Sequence, residues 1–236
     1  MPPDILLDVV GLHASYGATP VLQDVDLRIG RGEIVALIGR NGVGKTTMMR
    51  CLIGLLRATR GSIRYRGADI TRMAADDRAR QGIGYIPQGR DVFPRMTVEE
   101  NLLVGQSAGG GGPGGRRDLI YGYFPILKER RRQMAGTLSG GQQQQLAIGR
   151  ALIGGPDLIL LDEPSEGVQP NIVQLIVRVL RSIRHDIGTT ILFVEQNLDT
   201  ILTLAERCYV MEKGQVVAQI PMGEVSQESV RQHLLL

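Results

Sequence analysis

Three short segments of the chain combine residue types that can do chemistry. Gly39-Arg40-Asn41-Gly42-Val43-Gly44-Lys45-Thr46 follows an apolar run, Ile34–Ile38, and opens a helical pattern. Glycines at this spacing let backbone N–H groups turn inward around phosphate oxygens, and a helix N-terminus adds its positive end. Lys45 is placed to reach the outer phosphates of a nucleoside triphosphate, and the Thr46 hydroxyl to ligate Mg²⁺. Leu158-Ile159-Leu160-Leu161-Asp162-Glu163 is an apolar strand pattern ending in two carboxylates. Alone it reads as a strand closed by a solvated acidic turn. Beside a phosphate loop, Asp162 gains a role in holding Mg²⁺ through its water shell, and Glu163 in orienting or deprotonating an attacking water. Leu138-Ser139-Gly140-Gly141-Gln142 runs directly into another helical pattern. It reads either as a serine N-cap followed by flexible glycines or as a second phosphate cradle of one hydroxyl and bare N–H groups.

Positioning these segments requires buried strands followed by helices. Ile34–Ile38, Ile83–Ile86, Leu158–Leu161 and Thr190–Val194 are too uniformly apolar for a sheet with one wet face. Helical patterns follow them over Lys45–Leu56, Gln142–Ile153, Asn171–His185 and Leu198–Glu206. That alternation is the pattern of a parallel sheet covered by helices on both faces. The first thirty residues differ: Leu6–Val10 and Val21–Ile29 read as shorter alternating strands, and Glu212-Lys213-Gly214-Gln215 reads as a hairpin turn near the end. Ser107–Gly115, nearly all glycine around Pro113, reads as a flexible loop between helical patterns at Val98–Gly105 and Asp118–Lys128. A helical subdomain is therefore expected at about 89–157, inserted into a single domain spanning 1–236.

The bulk composition narrows the classes. With 236 residues, 43% hydrophobic and 22% charged, the chain can bury a full core. Aromatic residues make up 4% with no Trp, and the net charge is only +3, which argues against a base-stacking platform or a broad basic stripe and hence against nucleic acid as a partner. Arg130-Arg131-Arg132 reads as a solvated helix end, and His13, His185 and His233 lack metal-ligand spacing. Cys51 and Cys208 read as buried free thiols in a reducing compartment. No run of about 18 apolar residues occurs, and Met1-Pro2-Pro3-Asp4 does not open like a secretory signal, so any membrane role is expected to run through a partner.

The phosphate loop, the Leu-Ser-Gly-Gly-Gln segment and Leu-Leu-Asp-Glu, in this order, resemble the ATP-binding-cassette (ABC) ATPases from Leu6 to Ala218. The resemblance implies a P-loop α/β fold with a mostly parallel sheet, helices on both faces, an N-terminal antiparallel β-subdomain and the helical insert. It implies ATP and Mg²⁺ as ligands. Gly39, Asn41, Gly42, Gly44, Lys45, Thr46 and Thr47 fall on the family's ATP loop, and Tyr16 matches the aromatic that stacks on adenine. Gln88 matches the glutamine that senses Mg²⁺ and the attacking water. Ser139, Gly140, Gly141 and Gln142 match the signature that covers the γ-phosphate held by another subunit. A second ABC ATPase subunit, transmembrane permease subunits and, indirectly, an extracytoplasmic substrate-binding protein are the implied partners, with the chain peripheral on the cytoplasmic side of the membrane.

Two positions depart from the common family pattern. Phe193-Val194-Glu195-Gln196-Asn197 carries Gln196 where most members have a histidine at the γ-phosphate. Gln196 can donate a hydrogen bond but cannot carry a proton at neutral pH, leaving Glu163 as the base. Gln169 stands where the dimer-contact loop usually ends in Asp. These departures, with Gln88-Gly89-Arg90-Asp91-Val92-Phe93-Pro94, resemble importers of branched-chain amino acids and related compounds, and Glu166-Gly167-Val168-Gln169-Pro170 resembles their urea or short-amide branch. The alternatives are the ATPase of an export system of the lipopolysaccharide type, or a soluble ABC ATPase outside transport. Phe93, Pro94, Arg95 and Met96 are the expected permease contact.

Overall fold

A computed structural model describes residues 4–108 and 116–234, with the backbone alone at 233 and 234. Two sheets organise the chain. Strands β1 (Ile5–Tyr16), β2 (Thr19–Gly30), β4 (Arg60–Tyr65) and β5 (Ala68–Asp69) form an antiparallel sheet in the order β2-β1-β4-β5. The second sheet has six strands in the order β10-β9-β3-β8-β7-β6, with β3 at Ile34–Ile38, β6 at Ile83–Ile86, β7 at Leu158–Asp162, β8 at Thr190–Val194, β9 at Arg207–Glu212 and β10 at Gln215–Ile220. Neighbours from β9 through β6 run parallel, and only β10 pairs antiparallel.

Every residue of β3, β7 and β8 is buried, because both faces of the sheet are covered. Alternate residues enter two different cores. Ile34, Ala36, Ile38, Ile159, Leu161 and Phe193 face one core with the helices α3 (Val98–Ala108), α6 (Gly140–Ile153), α7 (Pro170–Ile187) and α8 (Leu198–Leu204). Val35, Leu37, Leu158, Leu160, Leu192 and Val194 face the other. There α1 (Lys45–Ile53) contributes Met48, Met49, Cys51 and Leu52 between the two sheets. The helix that opens on the phosphate loop is thus gripped along its length.

Several boundaries differ from the sequence reading, each for a local reason. β1 continues past Val10 to Tyr16, because Gly11 (φ 56) absorbs an irregularity in the register and the strand resumes at Leu12. α1 stops at Ile53 rather than Leu56, since Gly54 takes a left-handed conformation (φ 88) and donates back to the Arg50 and Cys51 carbonyls. The helical pattern over Asp118–Lys128 is two helices, α4 (Arg116–Tyr123) and α5 (Pro125–Glu129), with Pro125 beginning the second. α7 likewise begins at Pro170, and α6 at Gly140. Short elements without periodicity, β4, β5 and α2 (Ala75–Arg80), fill the stretch before β6, and α9 (Gln227–Leu234) closes the chain. The turn at Lys213 (φ 44) and Gly214 (φ 83) joins β9 to β10 as expected. Ser107 lies in α3, where its hydroxyl donates to the Leu103 carbonyl; the rest of the expected glycine loop, 109–115, lies outside the described residues, as do 1–3 and the His233 side chain. Among the described residues no helix is long and apolar enough to cross a membrane.

Candidate functional site

The loop between β3 and α1 closes tightly against the sheet. A Cβ on Gly39 (φ 146) would lie 2.2 Å from the Met211 carbonyl oxygen on β9, so only glycine fits there. Lys45 is buried, and its ammonium donates to the Gly39 and Arg40 carbonyls at 2.8 Å each. Burial lowers its pKa, against the attraction of Glu163, Asp162 and Glu195. The positive charge of the loop therefore faces three carboxylates and can exchange its carbonyl partners for phosphate oxygens. Thr47, also buried, is in the first turn of α1, and Asn41 and Gly42 are exposed at the lip of the loop.

Across from the loop, the ends of β7 and β8 carry the acidic and amide groups. The Thr46 hydroxyl donates to Asp162 Oδ1 at 3.2 Å, while Asp162 Oδ2 is buried with no hydrogen-bond partner among the described residues. An acceptor left unmatched in this way, beside a hydroxyl, fits a hard cation that takes oxygen ligands and retains waters, as Mg²⁺ does. Burial is also the leading reason that the Asp162 pKa is raised; the Thr46 hydrogen bond and Lys45 oppose it. A cation at Oδ2 would reverse that shift. Glu163 has a left-handed backbone (φ 51), and its amide donates to the Val194 carbonyl at 3.0 Å. Its carboxylate is clamped by two amides: Gln196 Nε2 donates to Oε1 at 2.6 Å and Gln88 Nε2 to Oε2 at 3.2 Å. Gln196 Nε2 also donates to Asn41 Oδ1 at 2.7 Å, tying β8 to the phosphate loop.

Tyr16 is half-exposed, and its hydroxyl accepts from Arg50 of α1 at 3.2 Å, leaving the ring free for a planar ligand. Ser139 N-caps α6 in a capping box with Gln142: the Gln142 amide donates to Ser139 Oγ at 3.3 Å and the Ser139 amide to Gln142 Oε1 at 3.0 Å. The hydroxyl proton of Ser139 stays available to an outside acceptor. This segment lies apart from the phosphate loop. Ser139, Gly140, Gly141 and Gln142 line a separate cavity of about 590 Å³ with Gly167, Gln169 and Ile172, to which the loop 39–46 contributes nothing.

Three further groups, not among the expected site residues, belong to the site. Glu195 is buried, and it accepts from the Ser165 amide at 3.1 Å on one oxygen and from the Gln196 and Asn197 amides at 2.8 and 2.9 Å on the other. Glu166 accepts from Gln88 at 2.8 Å. Arg90 donates to the Gly167 carbonyl at 2.9 Å and lies against Gly140, whose Cβ would come within 2.8 Å of its Nη1. A carboxylate directly after β8 was the available signal for Glu195; Arg90 and Glu166 lie in segments quoted for their family resemblance, but their partners are distant in the chain and spacing does not reveal them.

A strand–loop–helix phosphate cradle on a parallel sheet, with an acidic pair on the neighbouring strand end, defines a P-loop ATPase. Residues 22–166 match the ABC transporter family, and the chain belongs to it. The chain is 46% identical over 203 residues to BraG of Pseudomonas aeruginosa, a high-affinity branched-chain amino acid transport ATP-binding protein, covering 86% of this chain and 87% of BraG. It is 37% identical over 217 residues to LptB of Haemophilus influenzae, a lipopolysaccharide export system ATP-binding protein, covering 90% and 89% of the two chains. The ADP conformation of MJ1267, an ATP-binding cassette of an ABC transporter, superposes with a TM-score of 0.83 at 28% identity over 98% of each chain. The chain is an ABC ATPase, and ATP is the nucleotide its family hydrolyses.

Proposed function

We propose that this chain is the ATP-hydrolysing subunit of an importer of branched-chain amino acids, acting as half of an ATPase dimer bound to a permease on the cytoplasmic side of the membrane. The 46% identity to BraG carries the substrate class. A narrower reading, urea or short amides, rests on Glu166-Gly167-Val168-Gln169-Pro170 alone. Uptake of labelled leucine and labelled urea, in cells lacking the chain and in cells with it restored, separates the two. Loss of leucine uptake alone is expected; loss of urea uptake alone supports the narrower branch, and no change in either points to export.

In this reading the chain is one cassette over 1–236, with 89–157 as its helical arm. Lys45 and the N–H groups of Gly39–Thr47 hold the β- and γ-phosphates, and Tyr16 stacks on adenine. Thr46, Asp162 and Gln88 would hold Mg²⁺, which would neutralise phosphate charge. Glu163 takes a proton from the water as its oxygen attacks the γ-phosphorus; the bond to the β–γ bridging oxygen breaks and ADP leaves with the electron pair. Gln196 and Gln88 fix the Glu163 carboxylate, and Gln196 can turn the N–H it gives to Asn41 toward the γ-phosphate. Ser139, Gly140, Gly141 and Gln142 serve the ATP of a second subunit, a paralogue or a second copy. What supports this is their cavity, which is open and separate from the chain's own loop. A substrate-binding protein would deliver cargo to the permease.

The permease contact proposed at Phe93–Met96 adjoins an apolar groove of about 310 Å³ whose lining includes Ala75, Ala79, Tyr85, Phe93 and Arg150. Phe93 and Met96 are exposed, the Arg150 guanidinium stacks over the Phe93 ring at 4.9 Å, and its Nη1 is buried without a partner among the described residues. An apolar helix or loop bearing one hydrogen-bond acceptor fits that lining.

A further inference from the structure

The short helix α2 keeps different company across its surface. Ala75 and Ala79, one turn apart, line the groove. Arg78, on the adjoining part of the helix surface, is only 2% exposed. Its guanidinium reaches four backbone carbonyls: Nη1 donates to Cys51 at 2.7 Å and to Leu52 at 2.8 Å, Nε to Met73 at 3.1 Å and Nη2 to Thr71 at 3.0 Å.

Cys51 and Leu52 lie in the last turn of α1, the helix whose first residues are Lys45 and Thr46. Carbonyls at a helix C-terminus lack intrahelical donors, and a cation there complements the dipole whose other end serves the phosphates. The chain leaves α1 through Gly54, where a Cβ would sit 3.0 Å from Arg78 Nε, so the exit is shaped around this side chain. Its hydrogen-bond partners are neutral carbonyls, and burial lowers its pKa against the attraction of Asp69. A group needed only to fill this space would be apolar and would avoid that desolvation cost.

We propose that Arg78 is a positioning residue that couples the groove to the phosphate helix. Displacement of α2 from the groove side moves the C-terminal turn of α1, and with it Lys45 and Thr46. The inference rests on the reading of the groove as the permease contact for its biological meaning, but its physical content lies within one chain.

A double-mutant cycle on the purified full chain tests it, with the affinity for a fluorescent methylanthraniloyl-ATP as the readout. Ala79→Leu fills the groove from α2 without touching the nucleotide, and Arg78→Lys keeps a charge but cannot hold four carbonyls. With Arg78 present, Ala79→Leu is expected to shift the dissociation constant by about threefold or more; with Lys at 78 the shift disappears. An equal shift in both backgrounds, or none in either, overturns the proposal. Where Arg78→Lys does not fold, hydrogen exchange reads the same coupling with Arg78 intact. Ala79→Leu is then expected to change protection of the 50–54 amides, and unchanged protection overturns it. Permease-stimulated ATPase of Ala79→Leu is measured separately. Retained stimulation beside a positive cycle removes the groove as docking site and leaves the coupling standing.

Discussion

The Glu163 carboxylate is held on both oxygens by amides that can neither accept its proton nor lose one of their own near neutral pH. This matters because a base must keep its lone pair aimed at water while its neighbours stay chemically silent. Gln196 therefore acts through geometry, and Gln196→Ala is expected to lower kcat by about 100-fold with ATP affinity changed far less, checked by steady-state phosphate release. Glu195 stands one step behind. Its buried carboxylate accepts the amides of Ser165, Gln196 and Asn197, so it sets both the loop after Glu163 and the Gln196 backbone. Glu195→Ala is expected to destabilise the protein by about 1–2 kcal/mol, because three part-buried amides lose their acceptor, and a urea melt measures it. The fall in kcat should exceed that of a surface Glu→Ala control of equal stability.

At the scale of elements, the phosphate loop works because β9 presses on it from below. Gly39→Ala is expected to weaken ATP binding by about tenfold or more, since the added methyl would meet the Met211 carbonyl at 2.2 Å and the loop must shift. Arg95 belongs to the proposed permease contact rather than to the catalytic machinery. Arg95→Glu should reduce permease-stimulated ATPase while the isolated subunit keeps its basal rate; equal losses would place Arg95 in the fold instead. The elements themselves were legible to different degrees. β3, β7 and β8 announced themselves because burial on both faces forces an unbroken apolar run. β1 was read only as far as Val10, because the irregularity at Gly11 breaks the period of two that reading depends on. The Asp118–Lys128 pattern hid a break at Pro125, whose ring is tolerated in a first turn and so could be read as either interior or start.

Over the whole molecule, what was legible is what is local. The phosphate loop, the Ser-Gly-Gly segment and the acidic strand end each make their site from contiguous backbone, so residue type and spacing carry the chemistry. Arg78, Arg90 and Glu166 reach backbone or amide groups far along the chain, and the segments that hold them do not reveal those partners. The two cysteines illustrate the same contrast from the bland side: both are buried and free, and burial pushes each thiol up to about 12. Neither should react with a thiol reagent in the native protein at pH 8, and both should react on denaturation.

In the proposed function, the separation of the Ser139–Gln142 cradle from the chain's own phosphate loop ties turnover to a second subunit, and Glu163 is the group that ends the ATP-bound state. The most direct measurement is therefore phosphate release together with the ATP-dependent change in molecular mass, for the native chain and for Glu163→Gln. The account predicts that Glu163→Gln binds ATP, loses turnover by about 1,000-fold and accumulates as an ATP-bound dimer that ADP does not support. Turnover near the native rate, or loss of ATP binding with loss of turnover, would contradict the assignment of Glu163 as the base.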